Sequence, residues 1–339
     1  VIWAQNTAGI EVDDKFYDGN GIKKDFSNYL KTNYQLNSNI SLYGDIQIRN
    51  VKYNTSGSTS DILDFSTNKS YSFFNPKAGL NYTFNSDNNL YFSFARANRE
   101  PTRSDFENNA DIQPEQLNDL ELGWNYSKKN FLITTNFYYM QYKNQLVLTG
   151  SIDDVGNPVR QNSGESHRIG LELESNIRIS NKFSVNANSS FSQNKNKNFV
   201  TSLNGELVNL GRTNISFSPN LISSINLMYS ASENLDFSLL SKHVGEQYMS
   251  NTDSEFSKLD AYSILDFNFN YNFKNSFFFN EITLSAIVNN VFGTKYVSNG
   301  YYYTYDDTWS DPNSITTIEG TGYYPQATTN YLIGLKFKL

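Results

Sequence analysis

Apolar and polar residues alternate along much of the chain with a period of two. The clearest stretch is 259–274, where Phe267 lies on a largely apolar face and Asn268 on a largely polar one. Successive side chains of a β-strand point to opposite faces, so this pattern predicts a strand with one apolar and one hydrophilic side. The pattern recurs at 74–85 and 330–339. No segment matches helical spacing convincingly.

Counting these units predicts thirteen strands, many of which exceed the roughly 5–6 residues typical of globular proteins. They reach the roughly 9–11 residues that cross a bilayer at a tilt. Short links alternate with long ones, as in a membrane barrel with tight turns at one end and large loops at the other. The predicted strands are 22–36, 39–53, 71–84, 89–97, 119–127, 130–144, 165–180, 182–194, 214–230, 234–246, 259–274, 280–292 and 329–339.

The alternation therefore predicts an all-β protein: a transmembrane antiparallel up-and-down β-barrel with about thirteen strands in this chain. The competing interpretation is a soluble sandwich, propeller or solenoid, which also alternates. A dry core would make the many Asn, Asp and Lys side chains of the polar faces costly, whereas a watery lumen accepts them. The long strands and regular loops also favour the membrane barrel.

Composition narrows the functional class. The 339 residues carry a net charge of −7 and show no basic cluster, so a nucleic-acid partner is not expected. Cysteine is absent, which excludes disulfides and thiolate metal sites. No apolar run reaches the roughly 18 residues of a membrane helix. Aromatic residues make up 15% of the chain, as expected where they gather at both interfaces of a membrane barrel.

Thirteen strands are an odd number, and bacterial single-chain barrels have an even one. An open edge cannot face hydrocarbon because its backbone groups would be unsatisfied. We therefore expect at least one further strand upstream. The alternative is that residues 1–10 form a short fourteenth strand, although that segment lacks length and alternation.

Several segments together resemble the TonB-dependent receptors of the outer membrane, particularly those of Bacteroidota. They follow one another in the family's order over most of the chain. The segments are YLKTNYQLNSNISLYGDIQIRNVKY at 29–53, NPKAGLNYTF at 75–84, FSFARANREPTRSDF at 92–106, PEQLNDLELGWNY at 114–126, GLELE at 170–174, SLLSKHVGEQYMSN at 238–251 and VNNVFGTKY at 288–296.

The resemblance implies a bacterial outer-membrane receptor that imports a scarce ligand, such as a ferric siderophore, another metal chelate, a vitamin or an oligosaccharide. It implies that residues 1–339 are the C-terminal part of a 22-stranded barrel, with the plug domain and TonB box absent from this chain. The implied partners are outer-membrane lipid, the TonB complex through the missing N-terminal part, an extracellular small ligand and a lipoprotein. The terminal Leu339 departs from the family's usual aromatic residue.

The predicted loop 293–328 carries the first group of candidate ligand-binding residues. Aromatic rings beside carboxylates suit stacking on, and hydrogen bonding to, a planar or sugar-like ligand. The alternative is that these aromatics stiffen the loop or belong to the outer interface belt. The candidates are Tyr301, Tyr302, Tyr303, Tyr305 and Trp309.

Arg99 and Arg103 form the second candidate group, at the junction of a predicted strand and a long loop. Arginine side chains bind an anionic chelate or carboxylate through paired hydrogen bonds. The alternative is a structural ion pair, for example of Arg99 with Glu100 or Glu121. The resemblance disfavours a heme ligand. In heme receptors a ligand histidine lies between the segments that correspond to these, whereas residues 96–126 contain no histidine.

An enzyme is not expected. Ser166 and His167 are neighbours on a predicted strand and therefore point to opposite faces. Acid pairs at Asp153–Asp154 and Asp306–Asp307 suit calcium, but such turns are usually just solvated, so no metal or other cofactor is predicted. Two alternative functions remain: a passive or gated channel of about 14 strands, and a barrel that anchors partner proteins through its loops.

Overall fold

The computed structural model of the protein describes residues 18–58, 64–152, 158–276, 278–311 and 313–338. Strands dominate these residues. The elements in chain order are β1 (Asp18–Gln35), β2 (Ile40–Ser58), β3 (Asp64–Asn85), β4 (Asn88–Arg99), α1 (Arg103–Asn108), β5 (Glu115–Lys128), β6 (Phe131–Lys143), β7 (Leu146–Ile152), β8 (Pro158–Asn162), β9 (Glu165–Arg178), β10 (Phe183–Asn196), β11 (Phe199–Leu203), β12 (Glu206–Gly211), β13 (Leu221–Ser232), β14 (Leu235–Val244), β15 (Gln247–Tyr248), a 3₁₀ turn (Glu255–Ser257), β16 (Lys258–Leu259), β17 (Tyr262–Ser276), β18 (Phe279–Asn289), β19 (Val297–Asp307), β20 (Thr316–Pro325) and β21 (Asn330–Lys338).

Thirteen of these strands form one antiparallel sheet, which we call the wall sheet. Its order is β1-β2-β3-β4-β5-β6-β9-β10-β13-β14-β17-β18-β21, so each wall strand pairs with the next wall strand along the chain. The thirteen predicted strands are confirmed in number and order. The largest differences are at β3, which begins at Asp64 rather than at 71, and at β13, which begins at Leu221 rather than at 214. In the part of the chain that the structure describes, no helix is long and apolar enough to cross a membrane.

The two faces of the wall sheet differ in chemistry. One, which we call the outward face, presents exposed apolar side chains on strand after strand. The other, the luminal face, carries polar and charged residues. The register places Ile48 opposite Phe74 and Leu122 opposite Phe137, so the apolar positions line up across strands. Outward examples with high exposure are Ile46, Ile48, Phe74, Phe92, Leu122, Phe137, Leu171, Phe191, Ile225, Leu239, Phe273 and Leu335.

Two sequence expectations need correction. The predicted loop 54–70 is largely strand, because β2 continues to Ser58 and β3 begins at Asp64. The short helix α1 was not expected from helical periodicity. It contains six residues, too few for an amphipathic pattern, and a capping box begins it: Asp105 accepts a hydrogen bond from the backbone N–H of Thr102.

The long links also contain strands of their own. β7, β8, β19 and β20 make a four-stranded sheet, while β11 pairs with β12 and β15 with β16. Sequence periodicity in the wall did not reveal these hairpins. We call the segments between wall strands that hold α1, β7–β8, β11–β12, β15–β16 and β19–β20 the outer-loop layer.

Candidate ligand-binding surface

The outer-loop layer connects distant parts of the wall. The β7–β8 hairpin leaves the wall between β6 and β9, and the β19–β20 hairpin leaves it between β18 and β21. The two hairpins nevertheless meet, since Thr304 of β19 pairs with Ser151 of β7. Six wall strands, from β9 to β18, separate their points of departure. The joined hairpins therefore span the interval above those six strands.

Helix α1 shows on which side of the wall the layer begins. Phe106 forms a buried apolar cluster with Ile112 and Leu146, and Tyr53 and Tyr71 pack against it. The Phe106 and Tyr53 rings stack with centroids 5.8 Å apart. Tyr53 and Tyr71 lie at odd-numbered positions of β2 and β3, whereas outward residues such as Ile48 and Phe74 lie at even-numbered ones. Both tyrosines therefore belong to the luminal face. The loop after β4 therefore folds inward over the lumen.

An ion pair ties α1 to the neighbouring hairpin. Arg160 of β8 donates from Nε to Asp105 Oδ1 and from Nη2 to Asp105 Oδ2, both at 2.9 Å. Arg160 also donates to the hydroxyl of Thr102 at 3.1 Å. The Asp105 side chain is only 3% exposed. The carboxylate that caps α1 thus also holds β8, so two loops share one anchor.

A second ion network joins the loop after β4 to the wall. Glu100 accepts hydrogen bonds from Arg49 of β2, at 2.8 Å to each oxygen, and from Lys23 of β1 at 2.6 Å. Burial alone would raise the pKa of Glu100, but the bonds from Arg49 and Lys23 outweigh it and lower that pKa to about 2. Glu100 is therefore a carboxylate at neutral pH.

The two candidate arginines each have a carboxylate partner. Arg99 binds Glu115 at 3.2 Å rather than Glu100 or Glu121, the partners considered from the sequence. Arg103 binds Glu107 at 2.7 Å. Its guanidinium also lies 5.1 Å from the centroid of the Phe65 ring. A ligand anion would have to share each guanidinium with the carboxylate that already holds it.

Three of the candidate tyrosines form a flat aromatic surface on β19. Tyr301, Tyr303 and Tyr305 occupy alternate positions and so share one face. The Tyr301 and Tyr303 rings stack at 6.3 Å. Opposite them on β20 stand Gly322 and Gly320, and a Cβ at either glycine would come within 2.2 and 2.3 Å of the tyrosine ring atoms. The glycines let the rings lie against the β20 backbone.

Two further aromatic side chains extend this surface. Trp309 stacks on Tyr305 with ring centroids 6.2 Å apart and planes only 8° from parallel. Tyr324 of β20 contacts Tyr301 at 6.1 Å. Trp309 is 72% exposed and Tyr301 52%, so the surface is open to a ligand. We call Tyr301, Tyr303, Tyr305, Trp309 and Tyr324 the aromatic platform.

Tyr302 lies on the opposite face from the platform. Its hydroxyl donates to Glu319 at 2.5 Å. Burial and this hydrogen bond raise the pKa of the Tyr302 hydroxyl. Sequence analysis did not include Tyr324, Gly320 or Gly322 among the candidate ligand-binding residues, although glycines at alternate positions opposite alternate tyrosines are visible in the sequence. Tyr302 thus secures the hairpin, while its neighbours form the open surface.

The acid pairs considered for calcium have other roles or cannot be described. Thr317 donates to Asp306 at 2.6 Å. Asp307 accepts hydrogen bonds from the backbone of Trp309 and Ser310, and the bonds from Ser310 lower its pKa. Residues 153–154 lie outside the described residues. Within the described ranges no group of three or more His, Asp or Glu side chains is placed to hold a metal ion.

Ser166 and His167 lie on opposite faces of β9, as the alternation predicts. Ser166 donates to Gln145 at 2.6 Å on the buried luminal side. His167 faces outward, with its ring 6.4 Å from that of Tyr139. The geometry thus keeps apart the serine and histidine that an enzyme reading would pair.

Comparison with solved structures gives consistent matches to outer-membrane receptors. The ferric-catecholate import receptor Fiu from E. coli K12, in its closed form, aligns with a TM-score of 0.66 at 16% identity, over 94% of this chain and 45% of that one. The siderophore receptor PiuA from Acinetobacter baumannii gives 0.69 at 17%, over 94% and 44%. The unliganded ferric citrate transporter FecA gives 0.70 at 17%, over 94% and 46%.

The chain spans less than half the length of these solved structures. Because the sequence identities are below 20%, these structural matches show a shared fold. No curated protein matches the chain in sequence. These neighbours are outer-membrane proteins, and the predicted barrel fold and outer-membrane location are confirmed.

The amino-acid sequence itself matches the model of a protein family. The model for the TonB dependent receptor-like β-barrel matches residues 3–291, which is most of the chain. That family comprises receptors and transporters, which fits the expectation that this chain is not an enzyme. The chain belongs to the family of TonB-dependent receptor β-barrels.

Proposed function

We propose that the chain forms barrel wall and outer loops of an outer-membrane receptor that takes up a scarce extracellular ligand by TonB-dependent transport. The ligand classes are a ferric siderophore, another metal chelate, a vitamin or an oligosaccharide. The observation that carries the proposal is the exposed aromatic platform on an outer-loop layer that begins on the luminal side of the wall. A passive pore has no evident use for such a surface.

The chemistry of the platform favours a planar or sugar-like ligand. Stacked tyrosine and tryptophan rings bind such molecules through their flat apolar faces. The carboxylate of Asp307, at the end of β19, adds a hydrogen-bond acceptor on the same hairpin. Arg99 and Arg103 remain candidates for an anionic part of the ligand, but each is already paired with a glutamate. We therefore assign the first contact to the platform and a secondary role to the arginines.

The finer assignments follow from the sequence resemblance. We propose that residues 1–339 belong to the C-terminal part of a 22-stranded barrel of the Bacteroidota type, with the plug domain and TonB box outside this chain. The TonB complex would act through that other part. A lipoprotein that covers the outer-loop layer is a further partner in this proposal.

The experiment is ligand binding to the receptor purified from outer membranes, with three probes: a ferric catecholate, ferric citrate and a neutral oligosaccharide. We expect one probe to bind and the triple variant Tyr301→Ala/Tyr303→Ala/Tyr305→Ala to weaken its binding by about tenfold or more, because stacking area is lost. Phe256→Ala is the matched control. Phe256 is 63% exposed in a neighbouring loop but is outside the platform.

A subtler variant separates ring position from ring identity. Gly322→Ala keeps every tyrosine but places a Cβ 2.2 Å from the Tyr301 ring, which must then move. We expect intermediate weakening of binding with an unchanged barrel. Unchanged binding in both variants would remove the platform from the site. Uptake by cells that continues after the membrane energy source is dissipated would contradict the transport mechanism itself.

A further inference from the structure

The segment 249–254, in the link between β14 and β17, is buried at its start although it is mostly polar. Met249 is 3% exposed, Ser250 1% and Asn251 0%. Buried polar side chains are tolerated where hydrogen bonds replace those lost to water. The contacts of this segment therefore show which parts of the outer-loop layer it holds in place.

The side-chain amide of Asn251 connects three links of the outer-loop layer. Its Nδ2 donates to the carbonyl of Leu148 in β7 at 2.9 Å. Its Oδ1 accepts from the backbone N–H of Ser216 at 3.0 Å and from Nδ2 of Asn196 at 3.4 Å. Leu148 belongs to the link between β6 and β9, and Ser216 to the link between β10 and β13. One buried side chain thus joins three loops that leave the wall at different places.

The hairpin that carries the aromatic platform contacts the same segment. A Cβ at Gly300 of β19 would lie 2.7 Å from Sδ of Met249, so the β19 backbone lies directly against that side chain. The hydroxyls of Thr252 and Ser254 lie close enough to the hydroxyl of Tyr302 to affect its ionisation. Gly300 and Tyr302 alternate with the platform tyrosines along β19. The segment therefore supports the hairpin from the face opposite the platform.

A second connection to the platform runs through β7. Ser151 of β7 pairs with Thr304 of β19, three residues beyond the carbonyl of Leu148 that Asn251 binds. β19 is therefore held directly by the segment 249–254 and indirectly through β7. Asn251 lies where these two connections meet.

The platform depends on such support because its rings are open to solvent. Trp309 is 72% exposed and Tyr301 52%. Rings that bury little of their own area gain little free energy from any one position, so burial alone does not fix where they lie. The position of β19 is set instead by the contacts on its other face.

The hydrogen bonds around Asn251 favour one geometry at some cost in stability. Among the described residues, Oδ1 of the fully buried Asn196 has no hydrogen-bond partner. An unsatisfied buried acceptor destabilises a fold, whereas apolar side chains of similar shape would avoid that cost. The amides contribute direction, since each hydrogen bond restricts the distance and angle between two loops. This cluster is therefore suited to fixing the geometry of the loops.

We propose that Asn251 is a positioning residue for the aromatic platform. Its amide fixes β7 and the two neighbouring links relative to one another, and so sets where β19 presents its rings. Asn251 is fully buried and does not contact the ligand itself. This inference rests on the proposed function, in which the platform makes the first contact with the ligand.

The test measures the position of the platform and the binding of ligand separately, in receptor purified from outer membranes. The 339 residues contain no cysteine, so spin labels can be attached to cysteines introduced by Thr308→Cys, beside the platform, and Asn181→Cys, in the short link between β9 and β10. Double electron–electron resonance gives the distance between the labels. Binding is measured without labels, using whichever probe the native receptor binds among the ferric catecholate, ferric citrate and the neutral oligosaccharide.

Asn251→Leu keeps the approximate shape of the side chain and removes its hydrogen bonds. We expect the label distance, which is narrowly distributed in the native receptor, to shift or broaden because β7 is released. Binding should weaken by about tenfold. The heat-dependent gel shift of the folded barrel should not change. If the leucine variant does not fold, the smaller Asn251→Ala carries the same expectations.

The matched control is Ser250→Ala. Ser250 is nearly as buried as Asn251, but its hydroxyl bonds to Ser257 and Thr252, both at 2.8 Å and both in the same link. This variant should keep the native distance and the native binding. An equal change in Ser250→Ala would indicate a general loss of local stability and would overturn the proposal. So would an unchanged label distance in the Asn251 variants, whether or not binding weakens.

One outcome separates this proposal from the proposed function. A changed label distance with unchanged binding would support the positioning role of Asn251 and would remove the platform from the ligand site.

Discussion

The wall sheet and the outer-loop layer of the same chain are held together in different ways. In the wall, each strand pairs with the next wall strand along the chain, and backbone hydrogen bonds form the ladder. In the layer, contacts join loops far apart in sequence. Asn204 and Thr317 exchange two hydrogen bonds, at 2.7 and 2.8 Å, and Asn251 donates to the carbonyl of Leu148 at 2.9 Å.

The difference shows how each region meets its solvent. Lipid offers no hydrogen bonds, so the wall must satisfy its backbone internally and present apolar side chains outward. The layer lies in water and buries apolar side chains of its own, such as Phe106, Ile112 and Phe199. Charged pairs such as Arg160 with Asp105 and Arg49 with Glu100 add further links to its geometry. Substitutions should separate the two regimes.

The largest effect is expected in the wall. Phe267→Arg places a charge on the outward face, beside Phe237, whose ring lies 6.1 Å away. It should destabilise insertion by about 2–4 kcal/mol if Phe267 lies near the midplane. Asn268→Arg, one residue on but luminal, should be mild. Folding into lipid vesicles, followed by the heat-dependent gel shift, measures both. Equal cost at the two positions would contradict the assignment of faces.

An intermediate effect is expected in the layer. Asp105→Ala leaves Arg160 without its buried partner and the N–H of Thr102 without its cap, at a cost of about 2 kcal/mol in local stability. Protease sensitivity at 100–114 should rise, while the gel shift of the wall stays unchanged. Lys258→Gln is the control, because its partner Glu246 is 60% exposed and such pairs contribute little. A loss of wall stability in Asp105→Ala would show that the two regions are coupled.

The sequence predicted the wall well and the layer poorly, for a physical reason. A wall strand has one face toward lipid and one toward water. Its sequence therefore alternates between apolar and polar residues, as at Phe267 and Asn268. Each wall strand pairs with the next wall strand along the chain, so the strand order follows once the strands are identified. Loop contacts such as Thr304 with Ser151 depend on where two distant hairpins happen to meet, and no local pattern encodes that meeting.

The candidate ligand residues show the same division. Alternation along β19 was enough to separate Tyr302 from Tyr301, Tyr303 and Tyr305, once the segment is known to be a strand. The ion-pair partners of the arginines could not be predicted from the sequence. Arg99 pairs with Glu115 on the adjacent strand, and Glu100 pairs with Arg49 of β2. The helix α1 had a local signal, the pair Thr102 and Asp105, but its length gave no periodicity.

The smallest effect concerns the anchor of the layer to the wall and depends on pH. The pKa of Glu100 is lowered from 4.5 to about 2, so the folded state favours the carboxylate more than the unfolded chain does. Its stabilising contribution is therefore complete above about pH 4.5 and is lost as the pH falls toward 2. We expect a contribution of about 1–2 kcal/mol, because Lys23 is partly exposed.

Pepsin digestion between pH 5 and pH 2 measures this anchor directly. Cleavage within 100–114 should increase as the pH falls in the native receptor, whereas Glu100→Gln should be cleaved readily and almost independently of pH. Glu107→Gln is the matched control: Glu107 pairs with Arg103 but does not reach the wall, so its variant should keep the native pH profile. If Glu100→Gln and the native receptor lose protection over the same pH range, the carboxylate of Glu100 does not anchor the loop. The layer would then be held to the wall by the apolar cluster around Phe106 rather than by charge.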